Sequence, residues 1–199
     1  MLFTKIIQKK ISYLLLNNLS NKQYYMITFF KELWQMVKML FSSKPNDSNE
    51  LKLLAMQCFP FQGYKYMMWC GKMIYRKKDE ERILSEINTP FFLKDKTHET
   101  THLKQAQVKG RNSWLRYYLI YVWEWIKGNP ITNPASSAYY TIPFEMEAYA
   151  NEEDPNYPLN YDGKYLHCYD IEHRKETYRK CGSSYQWKQY IKTIEKTIE

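Results

Sequence analysis

The chain has 199 residues, of which 44% are hydrophobic and 25% charged, and a net charge of +8. That length suits one domain, or a domain with a small appendage, and that composition excludes a disordered tail. Six Gly and eight Pro exclude a collagenous or linker-dominated chain.

The 34 aromatic residues, 19 of them Tyr, combine with the basic charge to raise nucleic-acid or membrane-surface binding first. The distribution of charge argues against the former. Residues 1–50 carry +4, residues 51–110 +5 and residues 161–199 +2, whereas residues 111–160 reverse to −3. Nucleic-acid modules concentrate Lys and Arg along one element. Here the one tight basic run, Arg76-Lys77-Lys78, is cancelled at once by Asp79-Glu80-Glu81. A solvated surface is the expectation, and a nucleic-acid partner is not.

Four cysteines, Cys58, Cys70, Cys168 and Cys181, form no Cys-x-x-Cys pair, which argues against a zinc ribbon or thioredoxin-type site. Their separations suit disulfides and a reduced chain equally. The apolar stretch Tyr13–Leu16 is broken by Asn17-Asn18, so no secretory leader is expected. No 18-residue uncharged apolar run exists, and a spanning helix is not expected either. The expected location is the cytoplasm, with peripheral membrane contact as a second expectation.

In chain order, residues 1–45 read as an amphipathic helical segment, with Phe29, Phe30, Leu33, Trp34, Val37 and Leu40 on one face. Docking, membrane anchoring and packing on the main domain are all open to it. Ser42–Asn49 collects turn formers and reads as a linker before a second unit, residues 51–199. Gly63–Arg76 reads as a hairpin turning at Cys70-Gly71-Lys72. A short helix is expected over Asp79–Ile87, and Phe91-Phe92-Leu93 reads as a strand end or core-facing loop. Helices follow over about Thr97–Lys109, from the N-cap Ser113 to before Gly128, and from Pro143 to before Pro155. A last helix is expected over Ser184–Ile198. The fold class is α+β, helix-rich, with a small antiparallel sheet or hairpin.

The chemical signal is His98-Glu99-Thr100-Thr101-His102, an HExxH string on an expected helix. Residues i and i+4 are one turn apart, so both imidazoles project from one face and can reach one metal ion. Zn–N bonds of roughly 2.0–2.1 Å require that convergence. Glu99 lies about 100° round the helix, at the edge of the face, where it can address a metal-bound water. The longer pattern HExxHxxGxxH is absent, because Gln105 and Val108 occupy its Gly and His positions. A third ligand must then come from elsewhere, and Phe144-Glu145-Met146-Glu147-Ala148-Tyr149 offers one. Glu145 and Glu147 are about 200° apart on a helix, so only one can face the metal. The small residue at Ala148 favours Glu145.

These residues resemble the zincin metallopeptidases, and within them the gluzincins, whose ligand helix carries E-x-x-A as Glu145-x-x-Ala148 does. HExxHxxQ with Gln105, a Trp/Tyr-rich helix over Trp114–Trp125, and the Phe144–Glu152 string are similar to small bacterial proteins of that type. The resemblance covers about 55 residues well and 51–199 loosely. It implies a small sheet beside the HExxH helix, zinc as cofactor, His98, His102 and Glu145 as metal ligands, and a peptide or protein substrate. Tyr149 stands where related ligand helices often carry Asp, which leaves Asp154 or another residue to orient a histidine.

The mechanism that follows has Glu99 as the catalytic base, taking a proton from zinc-bound water and passing it to the leaving amine. His167, Tyr149 and Tyr157 are oxyanion-donor candidates, and the Tyr64–Tyr75 hairpin offers an edge for an extended peptide. The competing expectations are an inactive zinc-binding relic and a basic adaptor at a membrane or nucleic acid. The Trp114–Ile126 helix is expected to fill the core between the two halves of the site, with membrane contact through it or the N-terminal segment as the alternative.

Overall fold

The computed structural model describes residues 21–128, 135–164 and 166–195. Its elements are α1 (Asn21–Ser42), β1 (Lys52–Met56), β2 (Met67–Trp69), β3 (Lys72–Arg76), α2 (Glu80–Glu86) and α3 (Pro90–Val108). They continue with α4 (Trp114–Lys127), α5 (Ala135–Tyr140), α6 (Pro143–Asn151), α7 (Arg174–Cys181) and α8 (Ser184–Ile191). The fold is α+β and helix-rich, with one small sheet. The helical expectation for residues 1–20 lies outside the described residues.

The sheet has the order β1-β3-β2 and is mixed. β2 and β3 form the antiparallel hairpin, with Met68 opposite Met73. β1, which no periodicity marks, adds parallel to β3 with Leu54 opposite Ile74. The hairpin turns through Cys70 and Gly71, both at positive φ (48° and 75°), as a two-residue loop matching strand twist requires. A side chain at Gly71 would place its Cβ within 2.4 Å of the Ser48 Oγ, so space as well as φ demands glycine there.

Alternation along β3 divides the core. Met73 and Tyr75 face a cluster with Ile83, Leu103, Trp114 and Tyr117, while Ile74 faces Met36, Met56, Cys58 and Phe59. The second face is where α1 packs, through Met36 and Phe29. Glu32 of α1 fixes that contact by accepting from the Gln57 and Cys58 amides at 2.6 and 2.9 Å. The Ser42–Asn49 stretch is likewise tied down, since Gln107 donates to the Pro45 and Ser48 carbonyls at 3.1 and 3.0 Å. All four cysteines are free thiols.

Three expectations need correction. Phe91-Phe92-Leu93 is the first turn of α3, not a strand end or loop. Thr89 caps it by accepting from the Phe92 amide, and Pro90 sits where a helix has no amide to satisfy. The helix opened at Ser113 fills the core with one face only. Trp114 and Tyr117 are buried, while Leu119 and Trp123 are 63% and 58% exposed. The last helix stops at Ile191, and turns carry the chain on to Glu195.

A separate cluster holds the C-terminal helices on α6. Trp187 and Ile191 of α8 pack with Met146 and Tyr169, and the Trp187 indole donates to the Tyr140 carbonyl at 2.8 Å. Ile191→Ala is expected to cost about 2–5 kcal/mol, from lost burial and the cavity left behind. Urea unfolding followed by circular dichroism would measure it.

Candidate metal centre

α3 is capped by Thr89 and runs unbroken through His98 and His102, so both imidazoles leave one face. Thr97 and Thr101, buried on that helix, donate to the Leu93 and Thr97 carbonyls at 2.9 and 3.0 Å. Their hydroxyls are thus satisfied without competing for the site. α6 packs against α3. Pro143 to Ala148 of α6 are all buried.

The three residues meet. The His98 and His102 Nε2 atoms are 3.2 Å apart. Glu145 Oε2 lies 3.3 Å from the His98 Nε2, and its Oε1 lies 3.1 Å from the His102 Nε2. Four ligands held roughly 2.0–2.1 Å from a tetrahedral centre stand roughly 3.3 Å apart, so these separations have the size of the edges of one coordination shell. Glu145 Oε2 has no hydrogen-bond partner although it is buried. Three buried donors that can hold a metal ion, one of them otherwise unsatisfied, make the residues fit such a group.

The surroundings orient the donors. Gln105 donates to the Phe144 carbonyl at 2.9 Å and to Glu147 Oε2 at 2.8 Å, which turns its own oxygen to the His102 Nδ1 at 2.8 Å. That oxygen can only accept, so neutral His102 carries its proton on Nδ1 and presents the Nε2 lone pair to the centre. Behind His98, Glu152 Oε2 stands 3.7 Å from Nδ1, with Lys94 and Lys188 on the other carboxylate oxygen at 3.1 and 3.6 Å. The Tyr121 hydroxyl donates to Glu145 Oε1 at 2.7 Å.

Charge in this closed space is strongly coupled. Burial works against the imidazolium form of His98, but Glu145 and Glu152 outweigh it and raise its pKa to about 10. For His102 burial is likewise overcome by Glu145, and the shift is upward. Burial alone would raise the Glu145 carboxyl, yet the two histidines hold it well below the usual carboxylate range. Glu99 moves the other way, raised by burial against the opposing pull of both histidines. The centre therefore favours positive charge beside Glu145, from protons or from a cation that displaces them.

Two cavities reach it. One, of about 400 Å³, is walled by aromatic and apolar side chains, including Tyr64, Trp69, Tyr118 and Trp125, and touches Glu99, His102 and Glu145. The other, about 370 Å³ and more polar, contains Lys94, Glu152 and Lys188 and touches His98 and Glu99. Glu99 borders both.

Of the two candidate carboxylates, Glu145 is the one beside the imidazoles. Glu147 is buried elsewhere, accepting from Gln105, Tyr157 and Tyr161. Among the oxyanion candidates only Tyr149 is close, with its ring 4.4 Å from that of His98. Tyr157 donates to Glu147 and Glu195 instead, and His167 is exposed beside Cys168. Asp154 accepts from the Asn156 amide and does not orient a histidine. Gln105 and Glu152 stand in that position, and no local pattern in the sequence marks Tyr121 as a partner of Glu145. Glu152 follows Glu145 by seven residues, two turns along the same face, which was the one available signal.

The hairpin edge is also less open than expected. The Met68 backbone lies against Glu99, and the Tyr118 hydroxyl is 3.5 Å from the Met68 carbonyl. No family model, curated protein or solved structure matches the chain.

Proposed function

We propose that this chain is a zinc-dependent hydrolase of the metallopeptidase type, with residues 51–199 as its hydrolase unit. The observation that carries the reading is the convergence of His98, His102 and Glu145 at 3.1–3.3 Å, with an acid on the same helix bordering both cavities. Soft-sulfur ligands are absent from the donor set, and two imidazoles with one carboxylate and an open position are a combination found at catalytic zinc.

Zinc bound there would bring the pKa of a coordinated water toward roughly 7 and polarise a carbonyl. The remaining work falls to the protein. Glu99 takes the water's proton as the new C–O bond forms, then gives it to the nitrogen leaving as the C–N bond breaks. Its desolvated setting makes it a stronger base than an exposed glutamate. Gln105 holds His102 in the tautomer that presents Nε2, and Tyr121 fixes the Glu145 carboxylate. The aromatic cavity suits an apolar side chain next to the scissile bond, and its walls exclude bulk water from the carbonyl.

Elemental analysis of the purified chain is expected to give about one zinc per molecule. Incubation with a mixed peptide library, read by mass spectrometry, is expected to show cleavages beside large apolar residues that stop on treatment with 1,10-phenanthroline. Protein that neither contains zinc nor takes it up would remove the site. Zinc without cleavage would leave a metal-binding protein that does no hydrolysis.

A further inference from the structure

Among the described residues, the large apolar side chains that the core does not use are concentrated on two helices. On α1, Tyr25, Phe30, Trp34 and Phe41 are 52–72% exposed, and on α4 Leu119 and Trp123 are 63% and 58% exposed. A monomer rarely leaves so many large apolar side chains in water without a partner. The two helices are joined through Trp69, whose indole donates to the Met36 carbonyl at 3.0 Å and stacks on Tyr118 at 4.4 Å.

The charges on these helices select the partner. Lys22, Lys31 and Lys38 of α1 and Arg116 of α4 are exposed. Each helix has one carboxylate, and both are turned inward. Glu32 accepts from the Gln57 and Cys58 amides, and Glu124 accepts from Arg174 at 2.8 Å and Lys127 at 2.5 Å. What faces solvent is aromatic, aliphatic, uncharged polar and cationic, with Lys38 lying over the Trp34 ring at 5.6 Å. Tryptophan, tyrosine and lysine without acid is the side-chain set of a surface that sits at the headgroup level of an anionic bilayer. No helix among the described residues is long and apolar enough to cross one.

We propose that α1 and α4 form a docking surface for anionic phospholipid membranes. The rings of Phe30, Phe29, Phe59 and Phe61 contact one another in sequence at 5.2–5.6 Å, leading from α1 to the rim of the aromatic cavity. Phe61, Val122 and Trp125 line that cavity and are themselves 57%, 47% and 36% exposed. The cavity that reaches Glu145 thus shares its rim with the docking surface, and an apolar chain held at the bilayer has a short route into it. Docking itself needs no metal, so its outcome is separate from that of the zinc reading.

Co-sedimentation of the full chain with phosphatidylglycerol–phosphatidylcholine vesicles tests it. Binding is expected with the mixed vesicles, with far less on pure phosphatidylcholine, and it should weaken as salt rises from 0.1 to 0.5 M. The double variant Lys31→Glu/Lys38→Glu should lower the partition coefficient at least about tenfold. Phe30→Ser/Trp34→Ser/Trp123→Ser should abolish binding while circular dichroism stays unchanged, because the three side chains are exposed. His98→Ala should bind vesicles as the parent does. Equal binding to neutral vesicles overturns the proposal. So does a chain that ignores vesicles, whether it sediments as a dimer through this face or as a monomer.

Discussion

Glu145→Gln is expected to abolish stoichiometric zinc binding while leaving the helical content unchanged. The amide keeps the shape of the carboxylate and can still accept from Tyr121, so the packing of α6 on α3 has little reason to change. What is lost is the one anionic donor between two imidazoles at 3.1 and 3.3 Å. Replacing groups behind a ligand costs about 10–100-fold in metal affinity, and loss of the ligand itself should exceed about 100-fold. Competition against a chromogenic chelator would measure it. Glu147→Gln provides the contrast, because that carboxylate reaches the centre only through Gln105 and should stay within the smaller range. If Glu145→Gln binds zinc as the parent does, Glu145 is not a ligand.

Glu99→Gln is expected to separate binding from chemistry. The variant should hold zinc at parental stoichiometry, because the donor atoms at the centre belong to His98, His102 and Glu145. Peptide cleavage should fall by about 10²–10⁴-fold, the usual contribution of a positioned general base. The pH dependence should also change. In the parent, burial raises the Glu99 pKa, so the base is lost to protonation at a higher pH than for a free glutamate, and activity should fall on the acid side there. The glutamine variant has no such group, and its residual rate should lack that acid limb. A variant as active as the parent would remove Glu99 from the mechanism.

The local chemistry of the site was legible because it depends on helix geometry alone. Four residues from His98 to His102 place two imidazoles on one face whatever surrounds them. Ser113, Pro143 and Cys70-Gly71 likewise marked element ends through capping, fixed φ and positive φ. Phe91-Phe92-Leu93 is ambiguous by itself because a three-residue apolar run has no period, and only the Thr89-Pro90 start signal before it marks a helix. β1 is illegible in the sequence for a related reason. Leu53-Leu54-Ala55-Met56 is too short to distinguish strand from helix, and its pairing with β3 is a parallel contact across an intervening hairpin.

The high aromatic content and positive charge gain different meanings once the faces are known. Tyr117 and Tyr121 of α4 look inward to the His102–Glu145 centre, while Trp123 and Leu119 of the same helix look out. Composition cannot separate them, because both faces are apolar.

From its sequence alone, this protein's metal-binding potential, helix-rich α+β class and main helix starts could be determined, since each rests on spacing within a few residues. The tertiary structure decided that Glu145 and not Glu147 joins the histidines, and that Gln105 and Glu152 stand behind them. It also decided which apolar side chains remain in water. Those outcomes depend on how α6 packs on α3 and how α1 and α4 meet Trp69, and such packing is set by contacts between distant segments that no local pattern encodes.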